Sequence, residues 1–198
     1  MARRYDHTRE EIMQMAIESG NEMIAEHGLA VFSARGLAKT IGYTVGTLHN
    51  VFGGYDMLVM RINAHTLDEL QQYIRNKTLN IADGEDSIRA MAHAYYQFAK
   101  NAPLRWRAIF EHSLPENATI PDWYQQKTVD LFIEIEIHMK AVNPKGDARL
   151  AAKSLWAGIH GTCALALTGK LDLTSKSSTE QLLEAMLDNF IRGYESRP

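Results

Sequence analysis

The segment Gly42-Tyr43-Thr44-Val45-Gly46-Thr47-Leu48-His49-Asn50-Val51-Phe52, GYTVGTLHNVF, is dense in hydrogen-bonding side chains but carries no strong cation. No lysine or arginine occurs from Thr40 through Met60. Thr47, His49 and Asn50 carry groups that can read base edges, asparagine being suited to adenine and threonine to a hydroxyl contact or a thymine methyl. Thr44 is a helix-capping type. A helix N-terminus presents unpaired amides and a positive dipole end, so Thr44 through Thr47 can hold a phosphate without a charged side chain. Gly46 permits the closest backbone approach. Positive charge must then come from outside the segment, from Arg3, Arg4, Arg9, Arg35 and Lys39. Acids dilute it: residues 1 to 64 hold those cations and Arg61 against Asp6, Glu10, Glu11, Glu18, Glu22, Glu26 and Asp56.

Other chemistry has less to stand on. The sequence contains no G-x-S-x-G elbow, H-E-x-x-H, phosphate loop or E-x-x-H pair, so an all-helical enzyme is the weaker alternative, and neither cofactor nor catalytic residue is expected. Glu134 and His138 lie one turn apart and could contribute to a metal site, but an ordinary i,i+4 pair explains them as well, and no metal is expected. The single cysteine, Cys163, excludes an intrachain disulfide. No apolar run approaches the roughly 18 residues of a membrane span and no signal-peptide core is present, so the expected location is cytoplasmic, with no membrane partner.

The elements that position the opening segment are helical. Thr8-Arg9-Glu10-Glu11 is a capping box that starts a helix, along which Ile12, Ala16, Gly20, Met23 and His27 recur at helical spacing up to a left-handed Gly28. Ser33 caps a short helix with Leu37, Ala38 and Ile41, ended by Gly42. Thr44 caps a third, in which Val45, Leu48 and Phe52 share the inner face and Gly46, Thr47, His49 and Asn50 point away. Two short helices joined through a tight turn after a longer supporting helix form a helix-turn-helix pattern. A long helix follows from about 55 to 75 with Leu58, Ile62, Leu70 and Ile74 along one side. The stretch NIADGEDS is a linker, and helices are expected near 86 to 101, 103 to 113, 121 to 142, 147 to 168 and 179 to 195.

The run from Thr8 through Leu58 resembles the N-terminal DNA-binding domain of the TetR family of bacterial transcriptional regulators, and LWAGIHGTCALALTGKL, with Trp156 before His160-Gly161, is similar to a C-terminal domain found in part of that family. The resemblance implies an all-α fold: a helix-turn-helix domain over 1-54, extending into the linking helix to about 64, and a helical effector-binding and dimerisation domain over 65-198. It also implies a homodimeric repressor, not an enzyme, that binds a double-stranded operator and answers to a small-molecule effector. By match to the family pattern, Ser33 corresponds to the cap of the first helix of the pair, Arg35 and Lys39 to its DNA-proximal positions, and Gly46-Thr47-Leu48 to the family's Gly-Thr-Leu. The chain departs where the family usually has tyrosine (His49), histidine or tyrosine (Val51), and lysine or arginine at the start of the fourth helix (Tyr55). The expected DNA-binding set is Arg3, Arg4, Arg35, Lys39, Tyr43, Thr44, Gly46, Thr47, His49, Asn50 and Tyr55. For several of these a plainer role stands beside the contact: Tyr43 as a staple on Leu48, His49 as a solvated histidine, Gly46 for helix packing, and Arg3 and Arg4 as a solubilising arm. A helical interaction protein with a decayed DNA-binding surface is the further alternative.

The C-terminal half is aromatic-rich. Tyr96, Trp106, Phe110, His112, Phe132, Trp156 and His160 are the candidates for lining a cavity for an apolar or aromatic effector, with core packing the competing role. Small residues such as Ala157 and Gly161, and the apolar final helix, suggest a dimer through Leu155, Ile159, Leu183, Met186, Leu187 and Phe190. A two-fold four-helix bundle would set two recognition helices roughly 34 to 36 Å apart, one turn of DNA, over a palindromic site.

Overall fold

A computed structural model describes residues 7–82, 84–171 and 177–196. Among the described residues the fold is all-helical, without strands. Its helices are α1 (Arg9–His27), α2 (Ala34–Thr40), α3 (Val45–Phe52), α4 (Tyr55–Thr78), α5 (Gly84–Asn101), α6 (Pro103–Glu111), α7 (Asp122–Val142), α8 (Ala148–Leu167) and α9 (Thr179–Glu195), with one 3₁₀ turn at Leu29–Val31. Helix α5 begins at Gly84, inside the stretch expected to be a linker. Two compact units form: Met1–Asp68 with Ala102–Tyr124, and Glu69–Asn101 with Gln125–Pro198. Helix α6 thus packs with the N-terminal helices, burying Trp106 and Ala108.

In the first unit the capping box fixes the start of α1. The Glu11 amide donates to Thr8 Oγ at 3.2 Å, and the Thr8 amide donates to Glu11 Oε2 at 2.6 Å. The buried face of α1 carries Ile12, Ala16, Gly20, Asn21 and Ile24. His27, expected on that face, is instead exposed, because the helical period brings Ile24 inward at the last turn. Gly28 takes the positive φ expected of it, 79°, but with ψ at 167°, so it turns the chain sharply without forming a left-handed helical cap. A Cβ at Gly20 would stand 2.4 Å from Ile62 Cδ1, so α1 and α4 meet here with no room for a side chain.

Helices α2 and α3 are short and are held by tertiary packing rather than by their own length. Ser33 Oγ accepts from the Gly36 amide at 3.1 Å, and Gly42, at φ 78°, ends α2 in a backbone conformation few other residues adopt. In α3 the buried residues are Leu48, Val51 and Phe52. Val45, expected on this face, is 44% exposed. The reason is register: Leu48 and Phe52 are fully seated, and Val51 fills the space beside them, rotating the first turn outward. Each such buried side chain contributes roughly 1.5–3 kcal/mol.

Buried polar ties tighten this unit. Thr66 Oγ donates to Asn21 Oδ1 at 3.0 Å, and Asn63 Nδ2 donates to the Ala108 carbonyl at 3.0 Å. Arg61 lies 3.8 Å over the Trp123 ring.

In the second unit α8 and α9 pack on each other and on α5, burying Leu155, Ile159 and Cys163 of α8 and Leu183, Leu187 and Ile191 of α9. Asn143, buried after α7, donates to the Tyr194 carbonyl at 2.9 Å while its Oδ1 accepts from the amides of Lys145 and Gly146. Arg89 of α5 reaches Glu184 and Asp188 of α9, each at 2.6 Å, and Glu85 at 2.7 Å. No described helix is long and apolar enough to cross a membrane.

Candidate functional site

The N-terminus of α3 is built by Thr44. Its extended backbone lets Oγ accept from the Thr47 amide at 3.1 Å, and the two threonine hydroxyls share a hydrogen bond of 3.0 Å. The amides of Val45 and Gly46 open at that end of the helix, where no helical carbonyl reaches them. Gly46, His49 and Asn50 are exposed and Thr47 is half-buried, whereas the opposite face is anchored in the core. Side chains able to reach base edges therefore project from a helix whose position is fixed from behind.

Arg35 and Lys39 are exposed on α2. Tyr43 is half-buried against the core, its hydroxyl 2.7 Å from His7 Nδ1 and its ring edge-on to the His7 ring. Tyr55 is 43% exposed, but its hydroxyl donates to the Phe32 carbonyl at 3.4 Å, and partial burial raises that hydroxyl's pKa. Arg3 and Arg4 lie outside the described residues.

Two contacts have no counterpart in the sequence reading. Arg9 Nη2 donates to the Val51 carbonyl at 2.9 Å, tying the first turn of α1 to the last turn of α3. His7 joins Tyr43. Together His7, Thr8, Arg9, Tyr43, Thr44, Thr47 and Asn50 line one concave surface. These pairs are separated by about 40 residues in sequence, so no local signal could have revealed them.

The second unit holds an apolar cavity of about 50 Å³, lined by Leu70 and Ile74 of α4, Ile88, Met91, Ala92 and Tyr95 of α5, Leu131 and Ile135 of α7, and Leu155, Trp156 and Ile159 of α8. Trp156 is the one expected ligand residue on this wall. Phe132 packs edge-on against Trp156, and His160 stacks on it with ring centroids 5.1 Å apart. Tyr95 hydroxyl and His160 Nδ1 are 2.9 Å apart, and burial holds the His160 pKa below its ordinary value. Tyr96 is buried elsewhere on α5.

Trp106, Phe110 and His112 do not join this cavity. They belong to the first unit, where Trp106 packs on Phe110 and His112 Nε2 pairs with Asp56 at 3.0 Å. Their helix turns its apolar face toward α1, a long-range choice that its periodicity does not encode. Of the residues expected at a subunit contact, Leu155, Ile159, Leu183 and Leu187 are buried within the single chain, whereas Met186 and Phe190 are partly exposed. A shallow surface groove between α8 and α9 is lined by Leu150, Ala151, Ser154, Asn189, Phe190, Gly193 and Tyr194. Glu134 is engaged with Arg75 and Gln71, and no described group of three or more His, Cys, Asp or Glu is arranged to hold a metal ion.

Known proteins share both the fold and part of the sequence. A family model described as "Tetracyclin repressor-like, C-terminal domain" matches residues 88–190. HTH-type transcriptional regulators of Mycobacterium tuberculosis and Mycobacterium bovis are 25% identical over 116 residues, which is 58% of this chain and 50% of theirs. The match thus spans about half the length of these curated relatives. Among solved structures, a Rhodococcus sp. RHA1 protein of unknown function superposes with a TM-score of 0.78 at 18% identity, covering 97% of this chain and 98% of its own. The TetR family transcriptional regulator PfmR of Thermus thermophilus gives 0.59 at 15% identity, covering 89% and 97%. The fatty acid degradation regulator FadR of Bacillus halodurans gives 0.68 at 14% identity, covering 90% and 94%. At these identities the structures speak to fold alone, but the family match extends over more than half of the sequence, and the chain belongs to the TetR family of transcriptional regulators.

Proposed function

We propose that this TetR-family chain is a cytoplasmic homodimeric repressor that binds a palindromic operator and is released by a small apolar or aromatic effector. In this reading residues 1–54, continuing to about 64, contact DNA, and residues 65–198 bind the effector and dimerise. The observation that carries it is the mounting of α3: Leu48, Val51 and Phe52 are buried while Thr47, His49 and Asn50 face outward from a Thr44-capped end. Thr47, His49 and Asn50 read bases; Thr44 and the amides beside Gly46 meet a phosphate; Arg35 and Lys39 supply charge, joined by Arg3 and Arg4. Tyr43 and Tyr55 buttress this surface and lie at its margin.

The groove of Leu150, Phe190 and Gly193 supports dimerisation through the outer faces of α8 and α9. The effector acts by population shift: occupancy of the cavity beside Leu70 and Ile74 favours one setting of α4, and the spacing of the two recognition helices changes with it.

Selection of bound sequences from a random duplex pool, followed by salt titration of the best one, tests the DNA reading. A dimer that selects a two-fold symmetric site supports it. Failure of any duplex to bind specifically at low salt favours a helical interaction protein instead, a reading motivated by the shortage of cations from Thr40 to Met60.

A further inference from the structure

The residues that lead into α1 hold α3 at both of its ends. His7 Nδ1 lies 2.7 Å from the hydroxyl of Tyr43, the residue immediately before the Thr44 cap, and Arg9 Nη2 donates to the Val51 carbonyl in the last turn at 2.9 Å. Val51 lies among the terminal carbonyls of α3 that no helical amide reaches, at the negative pole of the helix dipole. A guanidinium placed there supplies the missing donor and complements that pole. An eight-residue helix has little stiffness of its own, so its tilt depends on what grips its ends. By residue type Arg9 belongs with the cations that could neutralise phosphates, but its bond to Val51 gives it a different task.

We infer that Arg9 is a positioning residue for base readout: it sets the tilt of α3 from the C-terminal end and thereby aims Thr47, His49 and Asn50, without itself meeting a phosphate. This role rests on the reading of α3 as the helix that contacts DNA. Removing Arg9 releases only the last turn, because the Thr44 cap and the pairing of Tyr43 with His7 keep the entry of α3 in place. Phosphate binding at that entry therefore survives while the base contacts lose alignment. A cation that touched phosphate would act in the opposite way, weakening all duplexes alike and lowering the salt slope by about 0.9.

Arg9→Met keeps the aliphatic stem and removes the donors. The full-length variant is titrated with the duplex that the parent selects from a random pool, and with random duplex. The ratio of the two affinities should fall about ten-fold, the worth of a hydrogen bond from a charged donor, while the salt slope on random duplex stays at the parent value. In the DNA-free chain the Val51 carbonyl carbon resonance should move, which reports the tie itself. With His49 and Asn50 both replaced by alanine, Arg9→Met should cost less than about two-fold, because the side chains it aims are gone. Arg9→Ala repeats the series if Arg9→Met does not melt cooperatively. A preserved affinity ratio, a uniform loss with the slope lowered by about 0.9, an equal loss in the background lacking His49 and Asn50, or an unmoved Val51 resonance overturns the assignment. A parent chain that selects no duplex sinks the DNA reading and this role with it, whereas a parent that selects a site and a variant that keeps its preference sink the role alone.

Discussion

Replacing Thr44 separates its two roles at α3. Its Oγ accepts from the Thr47 amide at 3.1 Å and meets the Thr47 hydroxyl at 3.0 Å, both at the surface. Thr44→Val keeps the branched shape and removes the oxygen. Loss of an N-cap costs about 1 kcal/mol, and because Leu48, Val51 and Phe52 stay buried, the loss should be confined to the first turn. Amide hydrogen exchange at Thr47 should therefore accelerate about five-fold, and operator affinity should fall by about the same factor on every sequence, since the frayed turn must re-form before it binds. Thr44→Ser should restore both. Thr44→Asp retains the cap but places a negative charge where the phosphate is proposed to sit, so it should protect the Thr47 amide while weakening the operator complex well beyond five-fold. If Thr44→Val exchanges like the parent at Thr47, the capping account fails. If Thr44→Asp binds DNA as well as Thr44→Ser, no phosphate lies beside this position.

On the same surface, His49→Ala should relax sequence preference in a selection experiment, whereas Lys39→Ala should weaken all duplexes alike and reduce the salt slope by about 0.9; identical uniform losses would refute this division. Asn143→Ala removes the side-chain donor to the Tyr194 carbonyl and the acceptor of the Lys145 amide, while the Gly146 amide keeps the Asn143 backbone carbonyl, so urea unfolding should show a loss of about 2 kcal/mol, and a change under about 0.5 kcal/mol would show that water replaces the side chain. Burial lowers the His160 pKa below its ordinary 6.5, so the unfolded chain takes the proton first and the stability this residue contributes, full above pH 6.5, is lost as pH falls through the folded value. His138 acts with the same sign, so His160→Phe should reduce the acid-side slope without removing it; an unchanged slope would exclude a contribution from His160.

The parts legible in the sequence were those with local causes. A capping box, two hydroxyl caps and the glycine after α2 mark α1, α2 and α3 within a residue or two, because each signal lies within one helical turn of what it controls. Periodicity found the α4 stripe of Leu58, Ile62, Leu70 and Ile74, all buried. It misjudged α3 by one position, exchanging Val45 for Val51, since an eight-residue helix gives too few repeats to fix its phase. Partnership was the harder matter. The apolar faces of α8 and α9 were read as apolar, and within the chain they bury Leu155 and Leu187, but no helical pattern states which neighbour covers a face. The same limit hid the destination of Trp106 and the bond from Arg9 to Val51, which join segments far apart in the chain.

The bare contact at Gly20 bears on how far α4 can move on α1. Ile62 is pressed against a position that has no side chain, and Thr66 is bonded to Asn21 one turn further on, so α4 is seated on α1 at two successive turns. A shear between these two helices would have to break a buried hydrogen bond and climb over backbone. Within the N-terminal unit, α1, its tether to α3 and the first half of α4 are therefore held together as one packed piece, which none of the three can leave without uncovering buried surface.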